Sequence, residues 1–375
     1  MLKPQIVHDV PHPDPVAAIR RCADRIFAMD EAVDTTGRFP HDSIALLAEA
    51  GLLVAPLPRA LGGIGLGSDP LQTAALAAVL TATGRASLAV GRLYEGHVNA
   101  IILAVRCGEA PALAILAEEA GAGRISGVWN AERAPGLRAS SVAGGWQLDG
   151  GKIHCSGSGS IMRPLVTASI APGAPPLMLI ADMAAAGASV DLAVWRAAGM
   201  HGSVTGSVDF ERHFVRDGAV VGTAGDYYRS PEFAGGAWRV LAVQLGALER
   251  IIALHGDFLR SSGREREPVL RGRFADAAAD LELARLLVSE TAGRAEAPAS
   301  APAAVVSYVD MARTAFERLA LSIVAATRRN VGLSSFIAPN PLDRVLRDLE
   351  TYLRQPFLDA SRDNFARHLL ANQGV

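Results

Sequence analysis

A carboxylate and an imidazole stand two residues apart in "GRLYEGHVNA" (91–100), a stretch with helical periodicity, and these are residue types from which proton transfer is built. Residues two apart on a helix point about 200° away from each other, so Glu95 and His97 do not act as a pair. Arg92, Glu95 and Asn99, at spacings of three and four, share one face instead. Glu95 therefore reads most simply as half of an Arg92–Glu95 ion pair, which leaves His97 as the freer group. An imidazole titrates near neutrality and could protonate an intermediate or accept a substrate proton; a hydrogen-bonded structural histidine is the alternative. Elsewhere "KIHCSGSGS" (152–160) holds Ser156 in a glycine-serine run, ordinarily a turn. In "RDLETYLRQPFLD" (347–359) a helix is kinked or ended by Pro356, with Asp359 the nearest carboxylate beyond it. The glycine-rich "ALGGIGLGSDP" (60–70) lacks the Lys-Ser/Thr of a phosphate loop and follows no strand, so it reads as a turn.

The elements that must hold these residues fall into three blocks. Alanine-rich and leucine-rich helical periodicity runs to about residue 120, with "FPHDSIALLAEAGLL" (39–53) capped by Asp42 or Ser43. From Arg124 to about Val215 the chain turns to short β-prone runs broken by glycine and proline, and long amphipathic helices return at 237–260, 268–293 and 303–330. The low-complexity "AEAPASAPAA" (295–304) links the last two. The expected domains are 1–122 helical, 123–225 β and 226–375 a helical bundle, in an α+β multidomain chain. With 375 residues, 50% hydrophobic and 20% charged, the chain can bury a large core. A net charge of −2 gives no electrostatic case for nucleic acid or an anionic membrane. Three cysteines without metal spacing make a disulfide framework or zinc site improbable and fit a cytoplasmic location. The prolines of "MLKPQIVHDVPHPDP" exclude an ordinary signal peptide or transmembrane start.

Four phrases, in order, resemble the acyl-CoA dehydrogenase family of flavoproteins. "EAGLLVAPLPRALGGIGLG" is similar to the family's first-domain motif, and "GWQLDGGKIHCSGSGS" to its "G-W-x-L-x-G-x-K-x-W-I-T-N" strand pair. "WRAAGMHGSVTGSVDFERHFV" resembles "GxRxSxTxxVxFxxVxVP", and "NPLDRVLRDLETY" resembles "P-x-x-R-x-x-RD-x-x-x-Y". The resemblance covers residue 15 onward. It implies an N-terminal α-helical domain, a central β-barrel domain and a C-terminal four-helix bundle, with FAD between them and a homodimer or homotetramer completing the adenine half. The expected partners are a small-molecule substrate and either electron-transfer flavoprotein or a flavin reductase.

The family's cofactor contacts map onto single positions. Ser156 falls where a threonine faces flavin N5, and a serine keeps the same donor and acceptor. Trp129 and Asn130 lie in a rewritten version of the loop that meets the pyrimidine edge. Gly332 matches the start of the "Q-x-x-G-G-x-G-Y" turn with Arg329 in place of the glutamine, and Arg264, or Arg266 beside it, corresponds to the arginine that pairs with the pyrophosphate across the subunit interface.

The resemblance also implies a loss. The family's glutamate, which removes the α-proton of a thioester, has its place at Pro356, or at Gln355 if the register slips by one. The alternative seat, on an early helix of the bundle, corresponds to "GGAWRVLAVQLG" (235–246), which contains no Asp or Glu. Three readings follow. The first is hydride transfer to flavin N5 from an acyl-CoA-like or other small substrate, with Glu95 or His97 as displaced acid/base group. The second is a flavin monooxygenase of the same fold, in which oxygen is activated at flavin C4a and no α-proton base is required. The third is a catalytically silent flavin-binding protein.

Overall fold

The computed structural model describes residues 14–297 and 301–372. Most of the proline-broken N-terminal stretch and the middle of the 295–304 link therefore lie outside the described residues. The first helix, α1 (Pro15–Thr36), starts where the Asp14 carboxylate accepts the Val16 amide at 2.9 Å and stops at Gly37, whose φ of +62° only glycine adopts cheaply. Helix α2 (His41–Glu49) begins after Pro40, which stands two residues before the nearer expected cap. Asp42 lies inside its first turn, Ser43 is buried, and no side chain caps the helix after Pro40. Helices α3 (Thr73–Ala86), α4 (Leu88–Cys107) and α5 (Ala110–Gly121) complete the first block. The Ser87 hydroxyl caps α4 by accepting the Val90 amide at 3.2 Å, and its own proton goes to Asp30 of α1 at 2.6 Å.

The β block forms two sheets. Strands β1 (Val128–Trp129), β4 (Leu165–Ala168), β5 (Leu177–Ile180) and β8 (Val220–Val221) form one, in the order β1-β4-β5-β8. Strands β2 (Glu132–Val142), β3 (Gly145–Cys155), β7 (Gly206–Arg216) and β6 (Ala188–Asp191) form the other, antiparallel and in the order β2-β3-β7-β6. Every residue of β4 and β5 is buried, as expected of strands covered on both faces. Lys152 joins the sheets. Its ammonium is fully buried, donates to the Asn130 carbonyl at 3.0 Å and the Thr167 hydroxyl at 2.9 Å, and pairs with Glu132. Without those acceptors its burial would be costly.

After the short α6 (Glu232–Gly235), helices α7 (Trp238–Ser261), α8 (Pro268–Glu296) and α9 (Pro302–Val331) pack as a bundle, extended by α10 (Pro341–Tyr352) and α11 (Leu358–Ala371). Helix α7 also lies directly on α3. A Cβ on Gly84 would stand 2.0 Å from the Val243 carbonyl oxygen, and one on Gly246 would stand 2.0 Å from that of Thr81. Only glycine permits this approach, and it fixes the N-terminal half of α7 against the α3–α4 pair. The order is helical, β, helical, as the sequence pattern implies.

Candidate functional site

The polar face of α4 meets α7 and the end of α10 in a buried network. Arg92 Nη1 lies 2.6 Å from Glu95 Oε2, and the Asn99 amide donates to the other Glu95 oxygen. Asn99 Oδ1 accepts from Arg239 Nε at 2.6 Å, and Arg239 Nη1 reaches Glu296 Oε1 at 2.8 Å. Glu296 also accepts from Trp238 Nε1 at 2.9 Å and Arg106 Nη2 at 2.6 Å. Burial alone would raise the Glu296 pKa, but Arg239, Arg106 and Trp238 together hold it below the ordinary carboxylate value. The expected pairing of Arg92, Glu95 and Asn99 on one face is the geometry found, and it leaves neither Glu95 oxygen without a partner.

The expectation that His97 is the freer group is corrected. His97 is fully buried on the opposite face, where Nε2 lies 2.8 Å from the Leu53 carbonyl and Nδ1 accepts the Ser126 amide at 3.0 Å. Those two partners require the neutral, Nε2-protonated ring. Burial pushes its pKa down to about 4, opposed only by the Leu53 carbonyl. Neither nitrogen is left for a substrate, so His97 is a brace between α4, the chain after α2 and the entry to the β block.

Both family seats for the glutamate hold something else. Within 235–246, the stretch that corresponds to the bundle seat, the one charged residue is Arg239, and it is committed to Asn99 and Glu296. At the other, α10 stops at Tyr352 and α11 starts at Leu358, so Pro356 lies in the break, exposed, with its carbonyl accepting from Arg313 Nη2 at 2.7 Å. Asp359 is fully exposed, pairing loosely with Arg362 at 3.8 Å. The two seats are nevertheless adjacent, since Gln244 Nε2 of α7 donates to the Tyr352 carbonyl at 2.8 Å. The Tyr352 hydroxyl is buried without a partner among the described residues. Burial raises its pKa, the Glu95 charge raises it further, and Arg92 opposes both. The sequence reading passed over Arg239, Gln244 and Tyr352. A lone arginine inside the apolar "GGAWRVLAVQLG" was the available sign, because a buried guanidinium needs buried acceptors.

The predicted cofactor residues divide into two groups. Trp129 and Ser156 come together, the indole Nε1 donating to the Ser156 carbonyl at 3.0 Å. Trp129 is 1% exposed, so its ring is core and its indole fixes the Ser156 loop. The chain reaches that loop through a bulge after Lys152 and through His154, whose φ is +55°. Half-buried Ser156 ends a run of three hydroxyls, with Ser203 Oγ 2.8 Å from Thr205 Oγ1 and Thr205 Oγ1 3.3 Å from Ser156 Oγ. Asn130 accepts through Oδ1 from Thr167 at 2.8 Å and Tyr228 at 3.1 Å, and neither bond uses its amide nitrogen. Helix α4 closes this side, for a Cβ on Gly157 would meet Leu93 Cδ2 at 3.1 Å.

The second group lies past the other end of α7. Arg264 is exposed and reaches the Asn330 carbonyl at 3.4 Å, which brings it beside Arg329, also exposed, and Gly332 at the close of α9. Helix α7 has 24 residues, about 36 Å at 1.5 Å per residue, and separates Arg239 from Arg264.

Two family models match the sequence: acyl-CoA dehydrogenase, N-terminal domain, over residues 16–110, and acyl-CoA dehydrogenase, C-terminal domain, over residues 240–356. The chain belongs to the acyl-CoA dehydrogenase family. Solved structures of the same fold include KijD3 in complex with dTDP (22% identity, TM-score 0.81, 95% of this chain and 96% of that one). They also include FMN-bound TdsC from Paenibacillus sp. A11-2 (18%, TM-score 0.84, 96% and 97%). A glutaryl-coenzyme A dehydrogenase bound to glutaryl-CoA is similar too (17%, TM-score 0.84, 95% and 94%). Among curated proteins no significant sequence match is found.

Proposed function

We propose that this acyl-CoA dehydrogenase family flavoprotein is a flavin-dependent monooxygenase acting on a small molecule. One observation carries the reading: Glu95 of α4 has both oxygens occupied by Arg92 and Asn99, and Glu317, which lines the cavity beside Gln244 and Gln355, is paired with Arg354 at 2.6 Å. Removal of a weakly acidic α-proton needs a free base within about 3 Å. Glu95 and His97, the two displaced candidates, are both engaged, and Tyr352, its pKa raised by burial, is a donor and not a base. Oxygen transfer makes no such demand. The similarity to TdsC, which is described as a dibenzothiophene monooxygenase, agrees with this reading.

The residues present fit a flavin. Ser156 offers a hydroxyl at the end of its three-membered run, Asn130 an uncommitted amide nitrogen, and Trp129 holds their loop rigid. A bound flavin would supply two-electron redox chemistry and, once reduced, the activation of dioxygen. The chain's own part is to orient the ring through Ser156 and Asn130 and to exclude water with Leu93 and the Trp129 core. The first group of residues suits the isoalloxazine end alone, so FMN is sufficient for it. FAD additionally requires Arg264 from a second copy of the chain. Exposed Leu283 and Leu286 of α8, with Leu333, Phe336 and Ile337 beside Gly332, give such a copy an apolar surface to cover.

The test is anaerobic reduction of the purified flavoprotein followed by rapid mixing with oxygen. A species distinct from oxidised and reduced flavin, persisting for seconds before reoxidation, is expected. Single-phase reoxidation, together with bleaching of the oxidised flavin by an acyl-CoA thioester under nitrogen, would overturn the reading in favour of hydride transfer. Acid release and chromatography of the flavin decides between FMN and FAD.

A further inference from the structure

Both stretches that correspond to the family's glutamate seats contribute to one cavity. It has a volume of about 50 Å³ and is walled by Gln244 of α7, Arg313 and Glu317 of α9, and Leu353 and Gln355 beside the break between α10 and α11. One water needs roughly 10 to 15 Å³, so the space suits a head group of a few heavy atoms.

Two of these side chains are held in orientation by a single acceptor. Nε2 of Gln244 and Nε2 of Gln355 both donate to the Tyr352 carbonyl, at 2.8 and 2.7 Å. A carbonyl oxygen only accepts, so neither amide can be turned round, and both Oε1 atoms are directed away from it. Neither Oε1 has a donor among the described residues, although Gln244 is only 1% exposed and lines the cavity. A buried amide oxygen without a donor costs stability, and a donor entering the cavity from outside the chain removes that cost.

The charged residues of the wall are spent within the chain. Arg313 gives its terminal nitrogens to the Ser361 hydroxyl at 2.6 Å and the Pro356 carbonyl at 2.7 Å, with Asp310 at 3.6 Å. Glu317 pairs with Arg354 at 2.6 Å. The charges balance, so the wall attracts neither an anion nor a cation, and an ammonium would bury a charge without a counter-ion. What remains for a ligand is two directed acceptors, set among the aliphatic side chains of Val240, Leu241, Leu353 and Leu358. A carboxylate brings no proton to them and a hydroxyl brings one. An uncharged –NH2 group brings two.

We infer that this cavity receives an uncharged –NH2 group of the substrate, as carried by a primary amide or an arylamine, with Gln244 and Gln355 as its acceptors. That the ligand is the substrate rests on the flavin-enzyme reading above; the donor chemistry of the ligand does not.

The test uses the oxidised holoprotein, so that no turnover is involved. Propionamide is compared with propionate, aniline with phenol, and both nitrogen compounds with propylammonium, by calorimetry and by perturbation of the flavin absorbance. In at least one pair the –NH2 compound should bind about fivefold or more tightly than its partner and than propylammonium, the worth of one further hydrogen bond. Gln244→Met and Gln355→Met keep the length of the side chain and remove the acceptor, and each should abolish that preference with flavin content unchanged. The inference is overturned if none of the compounds binds, if neither pair shows the preference, or if the preference survives both substitutions. Should Gln244→Met fail to fold, Gln355→Met decides alone, because residue 355 lies between helices and is half-buried. Binding that leaves the flavin absorbance unchanged would refute the assignment to the substrate. Loss of the –NH2 preference would leave the reoxidation kinetics, and hence the oxygenase reading, untouched.

Discussion

Replacing His97 by glutamine should flatten the acid side of the protein's stability curve while leaving turnover per bound flavin unchanged. In the fold the imidazole is neutral and its pKa is pushed down to about 4, from the ordinary 6.5. The unfolded chain therefore binds a proton that the folded chain refuses. The sign follows: this contribution to stability is complete above pH 6.5 and is lost as pH falls toward 4. At pH 5 the unfolded histidine is almost wholly charged and the folded one about a tenth charged, which amounts to about 2 kcal/mol lost between pH 7.5 and 5. His255, also held near 4 by burial, titrates in the same sense, but it is common to both proteins and cancels in the comparison. The measurement is urea unfolding of wild type and His97→Gln at five pH values, with the difference taken at each. The wild type should lose about 2 kcal/mol more than the variant over that interval. Parallel curves would show that His97 is not buried as a neutral ring, and a tenfold fall in turnover of the well-folded variant would return His97 to the chemistry.

Three other outcomes follow from the site. Pro356→Glu should create no measurable oxidation of butyryl-CoA or octanoyl-CoA with an artificial electron acceptor, because that position is exposed and outside the α10 helix. Trp129→Phe keeps the buried ring but removes the bond to the Ser156 carbonyl, and should weaken flavin binding about fivefold, worth roughly 1 kcal/mol, in a fluorescence titration. Arg239→Met strands Glu296 and Asn99 in the interior and should destabilise the chain by about 3 to 5 kcal/mol in thermal or urea unfolding, far more than any exposed arginine.

The helical and β blocks were legible because they rest on local pattern. Periodicity placed the helices of the bundle at 237–260, 268–293 and 303–330, within a few residues of α7, α8 and α9. Helical geometry also placed Arg92, Glu95 and Asn99 on one face. What sequence could not supply were partners brought from afar. His97 is fixed by Leu53, 44 positions earlier, and by Ser126, 29 later. Asn99 meets Arg239 across 140 positions, and no spacing rule reaches that far. Trp129 was legible as part of a loop at the flavin's pyrimidine edge, yet its indole proton is spent on a carbonyl in another strand's loop, which only the pairing of the sheets reveals. The expected cap at Asp42 or Ser43 failed for a smaller reason: Pro40 stands at the cap position, two residues before Asp42, and starts α2 at His41.

The place taken by Arg239 bears on what nearby sequences are open to this chain. A carboxylate introduced there by one substitution would face Glu296, lose the hydrogen bond to Asn99 and leave Arg106 as the sole cation against two buried anions. At residue 356 a single substitution delivers its carboxylate to solvent. Neither position takes a buried, usable carboxylate by a single substitution: one yields a poorly folded protein, the other an idle one. The network thus acts as a constraint on change: a carboxylate cannot be added beside Asn99 without first removing Glu296 or supplying a second cation.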